Sequence, residues 1–433
     1  MDDDSDEAAL EIPEYRRRAI ELFNSTNTSS DFEHVSSVVV QLREIHDLHS
    51  DERFMRQLLA MSLEKLGKQH PVLAGRISAM EEIQTLYDRF GQEKAVGYSL
   101  GKTFLNLCLS DRDLCLEMVL RLDVLHTSHP TERAIRELLA RALGRQVVNS
   151  KSPEERRDIT DRIARLHEEH GHEPAVREYL ATALLNTNAV DLDPEQKWRL
   201  AERIAMLHED FGSEIKIRKC LATAYRNVTV VALTVAERRR FAEKIRDLHE
   251  SFGHEAPVRE QLAIALLCAT AIDTDRDRVL ATADEISALH ETFGREPTVR
   301  LQLAKVLANA AFLENDVAKV EVITHQLAAL HAEFGQEPGV REQYARAVFR
   351  AADISFESGV GMKFVETLAQ FHEQFGHEPL IRAKLCIILS AYSNLTSEPI
   401  KRIELAMRVK GIADRFPEDP ETQRIWTWLQ EHL

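Results

Sequence analysis

The chain has 433 residues, of which 44% are hydrophobic, 29% charged and 6% aromatic, and its formal net charge is −16. This balance excludes a disordered protein. The length exceeds one ordinary domain unless the chain is a repeat array without a single central core. The acidic surface is expected to repel nucleic acid and anionic membranes, and no apolar run approaches the roughly 18 residues of a membrane span. We therefore expect neither nucleic acid nor a membrane as a partner.

The N-terminal segment, residues 1–12, is acidic and has neither the basic nor the apolar region of a signal peptide. We expect a disordered leader there. A helix pair is predicted next, joined by the polar stretch "NSTNTSS". This first pair is less regular than the segments that follow it.

The position of a Leu-His dipeptide marks a repeat along the rest of the chain, although other residues occupy it in some units. It recurs in steps of 41 residues, with upstream steps of 38, 39 and 41. Periods of 20–50 residues are typical of solenoids and related arrays, so we predict one continuous helical repeat domain of about ten units over residues 13–433. The marked positions are Leu48, Leu86, Leu125, Leu166, Leu207, Leu248, Leu289, Leu330, Phe371 and Ile412.

Each unit is predicted to contain two helices. The segment "PEQKWRLAERIAMLHEDF" places Leu200, Ile204 and Leu207 at helical spacing, and Gly212 is expected to end this helix with a positive φ. In most units a Glu-Pro then begins the second helix, because proline suits a first helical position. Strand signals are absent, so the predicted fold class is all-α.

The C-terminal segment, about residues 419–433, is predicted to be a capping helix. A repeat array needs a cover for the apolar face of its last unit, and the tryptophans of "PETQRIWTWLQEHL" could fill that space. The alternative is that Trp426 or Trp428 is exposed and anchors a partner.

A family resemblance rests on the helix after the Glu-Pro. There a Leu-Ala or Leu-Gly pair is followed by a large residue, as in Leu180-Ala181 with Leu184. This pattern resembles the tetratricopeptide repeat, which implies antiparallel helix pairs in a right-handed superhelix. HEAT and armadillo arrays, which have a compatible period, remain the structural alternative. The repeat is longer than the family's roughly 34 residues, and arginine replaces the family's first-helix tryptophan. These arginines are Arg177, Arg218, Arg259, Arg300, Arg341 and Arg382.

The histidines of the repeat are interpreted as structural. Equivalent residues in stacked helices are roughly 10 Å apart or more, which is too far for shared metal ligands. We expect each ring to pack at a helix end and to bond a neighbouring loop or carbonyl, and we expect no metal or other cofactor. The first set is His49, His126, His167, His208, His249, His290, His331 and His372, and a second set is His172, His254 and His377.

The Glu-Pro-x-x-Arg element is interpreted in the same way. Its glutamate and arginine, as in Glu337 and Arg341, have the i, i+4 spacing of a local helical ion pair. The alternative is that the arginine binds the terminal carbonyls of the preceding unit.

Catalytic signatures are weak in this sequence. Gly101-Lys102-Thr103 resembles the end of a phosphate-binding loop, but Val96 stands where that loop needs glycine and no strand precedes it. The five cysteines are odd in number, lie far apart and form no CxxC pair. We therefore expect no enzyme, no disulfide and no structural zinc, and a reduced protein in the cytoplasm.

The candidate binding residues lie two and six positions after the leucine of the Leu-Ala pair. In the family that the chain resembles, those positions face the concave groove where peptides lie. Here they are rich in basic and amide side chains and none is acidic, which suits a peptide's carboxylates. The alternative is that Glu137–Arg141 and Glu342–Arg346 neutralise each other within their own helices. The candidates are Lys102, Asn106, Arg141, Arg145, Asn186, Asn227, Lys305, Asn309, Arg346 and Arg350.

The sequence thus predicts a non-catalytic scaffold that binds a partner protein or peptide in its concave groove, an acidic or carboxylate-bearing segment being favoured. The alternative is a regulatory or sensory repeat protein that changes curvature on binding a peptide or small ligand. A third reading, an α-solenoid enzyme, would require one repeat to depart chemically from the others.

Overall fold

The computed structural model describes residues 12–90, 93–171, 173–253, 255–293, 296–356 and 360–432. Within those ranges the chain forms 21 α-helices in series and no β-strand. The predicted leader falls outside these ranges except for its last residue. The helices are α1 (Glu14–Thr28), α2 (Phe32–Leu48), α3 (Arg53–Gln69), α4 (Leu73–Arg89), α5 (Lys94–Ser110), α6 (Cys115–Ser128), α7 (Arg133–Asn149), α8 (Pro153–His170), α9 (Pro174–Val190), α10 (Pro194–Phe211), α11 (Ile215–Val231), α12 (Val235–Phe252), α13 (Ala256–Thr270), α14 (Arg276–Phe293), α15 (Pro297–Leu313), α16 (Val317–Phe334), α17 (Pro338–Ile354), α18 (Gly361–Phe375), α19 (Pro379–Leu395), α20 (Pro399–Arg415) and α21 (Pro420–His432).

The helices group into two compact units, residues 1–220 and 221–433. In the first unit, α7 contacts α6, α8 and the next odd-numbered helix, α9. In the second unit, α17 contacts α16, α18 and α19 in the same way. Each unit is therefore a series of helix pairs in which the odd-numbered helices form a closely packed row. This confirms the predicted all-α solenoid architecture.

The two kinds of helix differ in how they are buried. The even-numbered α10 buries one face, with Leu200, Ile204 and Leu207 inside, as its apolar spacing predicts. The odd-numbered α15 is buried on more of its circumference, and its Ala304 is fully covered. Small residues in the odd row let neighbouring helices approach closely. A Cβ added at Gly101 would lie 3.0 Å from Leu138 Cδ1.

The predicted positive φ at the helix-ending glycine is wrong. Gly212 has φ −60° and ψ −13°, a right-handed helical conformation. Glycine suits this position because there is little room for a side chain. An added Cβ would lie 2.8 Å from the carbonyl oxygen of His208 and 3.3 Å from its ring. The same close approach recurs at Gly253 with His249.

The register of the first repeat also needs correction. The residue equivalent to the later histidines is His46, not His49. His46 is buried and packs edge-on against Phe90, with ring centroids 6.2 Å apart. Leu48 is 81% exposed, whereas a repeat leucine should be covered. With Ile45 in place of Leu48, the first step is 41 residues rather than 38.

The last helix, α21, contacts α19 and α20. Its Leu429 is buried, while Trp428 remains 40% exposed. None of the helices described is long and apolar enough to cross a membrane.

Candidate functional site

The turns between even and odd helices carry the most regular side-chain cluster. Arg341 donates from Nε to Glu378 of the next turn at 2.8 Å, and from its Nη1 to the carbonyl oxygen of Gly335 at 2.6 Å. Its guanidinium carbon also lies 4.7 Å from the ring centre of Phe375. Each arginine thus joins two consecutive repeats. Equivalent ion pairs are Arg56–Glu93, Arg136–Glu173, Arg177–Glu214, Arg259–Glu296, Arg300–Glu337 and Arg382–Asp419.

The i, i+4 interpretation of Glu-Pro-x-x-Arg is therefore wrong. The carboxylate of Glu337 accepts from Arg300, and Arg341 reaches forward to Glu378, 37 residues along the chain. The alternative is right about a carbonyl partner but wrong about its place, because Arg341 binds the carbonyl of Gly335, which ends the preceding helix of its own repeat rather than the preceding repeat. A carboxylate is thus shared between repeats rather than used within one helix turn.

The repeated histidines pack against the same turns. His167 lies edge-on to Phe211 with ring centroids 6.0 Å apart, and His290 is placed likewise on Phe334 at 5.8 Å. Both ring nitrogens of His372 are buried and have no hydrogen-bond partner among the described residues. The packing expectation is confirmed, but the expected bond to a loop or carbonyl does not hold the His372 ring.

Burial also decides the charge of these rings. It lowers the pKa of seven of them, and a nearby arginine lowers it further, as Arg177 does for His167. Neutral rings are therefore favoured. The seven are His126, His167, His208, His249, His290, His331 and His372.

The second histidine set consists of His172, His254 and His377. His172 and His254 lie outside the described residues, and the side chain of His377 is 75% exposed. Within the described ranges, no three histidine, cysteine, aspartate or glutamate side chains converge as metal ligands would.

The structure places all ten candidate binding residues on odd-numbered helices. Most are partly exposed on the solvent side of that row, and Asn227 is nearly buried. Three of them, Lys102, Asn106 and Arg141, line one cavity of about 370 Å³ in the first unit, formed by α3, α5, α7 and α9. We call it the α5 groove. Its side chains used below are Lys68, Tyr98, Lys102, Asn106, Arg141 and Tyr179, together with the carboxylates Glu64 and Glu137.

The α5 groove has more cations than accessible anions. Glu64 accepts from Lys102 Nζ at 3.1 Å, and Glu137 accepts from Arg133 Nε at 2.8 Å. Arg141 and Lys68 are exposed, and neither has an ion pair or side-chain hydrogen bond within the described part of the chain. The alternative that Glu137 neutralises Arg141 is therefore wrong. Two cations remain available to a ligand.

A second, smaller cavity adjoins the α5 groove. It has a volume of about 210 Å³, shares Lys68 and Asn106 with the groove, and adds Arg76, Thr103 and Ser110. The polar surface around Asn106 therefore continues from α7 towards α4.

The equivalent residues of the second unit have a different environment. Arg346 donates to Gln343 at 2.8 Å, rather than to Glu342, and lies over Phe312. Arg350 donates to Asp353 and to the side chain of Asn315, both at 2.9 Å. Lys305 and Asn309 are partly exposed on α15. Arg346 and Arg350 are thus occupied by neighbouring side chains.

The remaining candidates do not line the α5 groove. Asn186 is partly exposed on α9, and its backbone oxygen accepts from Arg156. The Nε atom of Arg145 is buried and lacks a hydrogen-bond partner among the described residues.

A cysteine pair was missed by the sequence interpretation. From the sequence the cysteines are expected to lie far apart, but the Sγ atoms of Cys108 and Cys115 are 2.7 Å apart. They are seven positions apart in the chain, across a helix end, and no common cysteine spacing would have indicated the contact. All five cysteines are free thiols.

Comparison with known proteins adds no family name. No protein-family model matches the chain, and no curated protein was found with a similar sequence.

Proposed function

We propose that the protein is a non-catalytic interaction scaffold that binds a carboxylate-bearing segment of a partner protein in the α5 groove. The observation that carries this proposal is the pair of free cations, Lys68 and Arg141, beside the amide of Asn106. The acidic groups of the same groove already have partners. Charge-assisted hydrogen bonds from such groups to a carboxylate are stronger than neutral ones.

The apolar part of the groove suits a peptide as well. Tyr98, Tyr179, Leu105 and Leu138 line the groove together with the cations. Tyrosine offers a rigid apolar ring and a polar tip, which is why it is frequent in binding surfaces. The groove therefore offers cations that can bind a carboxylate and a surface that can contact one or two side chains of the peptide.

The class of partner is inferred from two charges, that of the whole chain and that of the groove. The chain as a whole carries −16, which disfavours nucleic acid, whereas the groove presents local positive charge. An acidic or C-terminal protein segment fits both conditions. The Leu-Ala pattern supports a tetratricopeptide-like type, and the five free thiols support a reducing, cytoplasmic location.

The test uses two sets of random peptides, one with free C-terminal carboxylates and one with terminal amides, selected on the immobilised full chain. The selected peptides are expected to be enriched in Asp or Glu, or to require a free terminal carboxylate. Their affinity, measured by calorimetry, should fall at least tenfold, or about 1.4 kcal/mol, with Arg141→Glu and with Lys68→Glu.

A matched control separates the groove from net charge. Arg165 is exposed on α8, has no ion pair among the described residues and lies outside the groove. Arg165→Glu makes the same charge change and should leave the affinity unchanged. Equal losses from Arg141→Glu and Arg165→Glu, or enrichment without a carboxylate preference, would reject the proposal.

A further inference from the structure

The buried thiol pair of the first unit forms a second candidate site, independent of the groove. Cys108 lies in the last turn of α5, and Cys115 is the first residue of α6. Between them is a short surface loop that exposes Arg112 and Asp113. Both cysteines are buried, at 0% and 1% exposure. The contact therefore joins two consecutive helices beneath a loop.

The two sulfur atoms are in direct contact. At 2.7 Å, one thiol donates to the other sulfur, and only a small movement separates this arrangement from a covalent bond of about 2.05 Å. The remaining cysteines have no such neighbour. Burial raises the pKa of Cys220 to about 11 and that of Cys386 to about 12, so both remain thiols.

The two members of the pair are not equivalent. Cys115 begins a helix, where the backbone N–H groups and the helix dipole favour a thiolate. Arg145 of α7 adds positive charge nearby, and its buried Nε has no hydrogen-bond partner among the described residues. The hydrogen bond from Cys108 lowers the pKa of Cys115, and together with Asn149 and Arg145 it outweighs burial, which acts in the opposite direction. The same bond, together with burial, raises the pKa of Cys108.

We propose that Cys108 and Cys115 form a reversible disulfide by exchange with small-molecule disulfides of the glutathione class, with Cys115 as the attacking thiol and Cys108 as the resolving thiol. The Cys115 thiolate attacks one sulfur of the small disulfide. A mixed disulfide forms, and the other half leaves as a thiolate. Cys108 then loses its proton to solvent and attacks the Cys115 sulfur, which releases the second small thiolate. Two protein thiols are oxidised, and one small disulfide is reduced to two thiols that carry the two protons.

Access to the buried pair depends on the loop. Asp111 caps it by accepting from the N–H groups of Asp113 at 2.8 Å and Leu114 at 3.1 Å, and Arg112 donates to the backbone oxygen of Asn149. We expect opening of this single turn to expose Cys115 without unfolding α5 or the rest of α6, because local openings of this kind cost less than global unfolding.

The test incubates the reduced full chain, under native conditions, in buffers of increasing oxidised-to-reduced glutathione ratio. Free thiols are then alkylated and the peptides mapped by mass spectrometry. The expected result is loss of both alkylation sites together, a peptide linked through Cys108 and Cys115, and reversal by excess reduced glutathione. Oxidation of the pair only in urea, or reaction at Cys268 while the pair stays reduced, would overturn the proposal.

Single variants assign the roles of the two thiols. Cys108→Ala should trap glutathione on Cys115, because no resolving thiol remains, whereas Cys115→Ala should leave Cys108 unmodified. Circular dichroism confirms that each variant is folded, and Cys268→Ala serves as the control that keeps the pair. Glutathione trapped on Cys108 in Cys115→Ala, with Cys115 unmodified in Cys108→Ala, would overturn the assignment of the attacking thiol.

Discussion

The helix-ending turns and the α5 groove use the same residue type in opposite ways. At the turns, Arg341 and Arg382 are buried, and each has a carboxylate, a carbonyl and an aromatic face as partners. In the groove, Arg141 is exposed and has no charged partner among the described residues. Repetition across the units therefore identifies scaffold arginines, whereas an unmatched arginine on the odd row identifies a binding candidate. The predictions below separate these two roles by their effects on stability.

The largest expected effect is at a turn. Arg382→Ala removes one partner of a buried ion pair and leaves the Asp419 carboxylate without its cation, which should cost about 3 kcal/mol. Arg141→Ala should change stability by no more than about 0.5 kcal/mol. Urea unfolding followed by circular dichroism measures both. Similar losses for the two variants would remove the distinction between scaffold and groove arginines.

The second prediction concerns pH and the turn histidines. Burial lowers the pKa of seven of these rings in the folded state. The unfolded chain therefore binds protons first, and stability present above the ordinary histidine pKa of about 6.5 is lost as the pH falls through and below it. The urea midpoint should decrease from pH 7.5 to pH 5.5.

Single substitutions sharpen this pH test. His290→Gln removes one titrating buried ring and should make the pH dependence shallower. His377→Gln alters an exposed ring and should not. A pH dependence that neither substitution changes would show that the stability change arises elsewhere.

The third prediction concerns Asp419 and the loss of folding stability at low pH. Burial opposes the charge on Asp419, but hydrogen bonds from Arg382 and Thr422 outweigh it, so its folded-state pKa lies below the usual value. Stability from this carboxylate is complete above its unfolded pKa of about 3.9 and is lost as the pH falls through the lower folded value. Asp419→Asn should therefore lower stability at pH 7 and flatten the acid limb of the urea midpoint. An unchanged acid limb would contradict the ion-pair account.

The smallest effects are expected at glycines. Gly212→Ala should destabilise by about 1 kcal/mol, because its Cβ meets the His208 carbonyl and ring. Gly411 lies in α20 with nothing within 4 Å of an added Cβ, so Gly411→Ala should stabilise by up to about 1 kcal/mol. The opposite signs distinguish a steric requirement from a general preference for glycine. Stabilisation by both would contradict the close approach at the turn.

Much of the fold could be predicted from the sequence. Apolar spacing located α10, and proline after glutamate located the starts of α9 and α15, because periodicity and proline geometry act locally. The predicted register of the first repeat is wrong because the sequence contains two similar dipeptides there, Ile45-His46 and Leu48-His49. Only burial, with His46 inside and Leu48 outside, separates them.

The ion-pair partners of the side chains were less predictable from the sequence than the positions of the helices. A glutamate four residues before an arginine suggests a local pair, but the helix stacking brings Glu378 to Arg341 from 37 residues away. The resemblance indicates Lys102 and Arg141 as binding candidates, which stays a prediction, whereas the ion pairs of Glu137 with Arg133 and of Arg350 with Asp353 depend on side-chain geometry. The Cys108–Cys115 contact depends on the path of a short loop and gives no periodic signal.

The most direct test of the central claim is a double-mutant cycle between the groove and the peptide terminus. The affinity of one selected peptide is measured with a free carboxylate and with a terminal amide, for the wild-type chain and for Arg141→Ala. Our account predicts that amidation weakens binding to the wild type much more than to the variant, with a coupling free energy of at least about 1 kcal/mol. Additive effects, with no coupling, would show that Arg141 does not bind the carboxylate and would contradict the proposed function of the α5 groove.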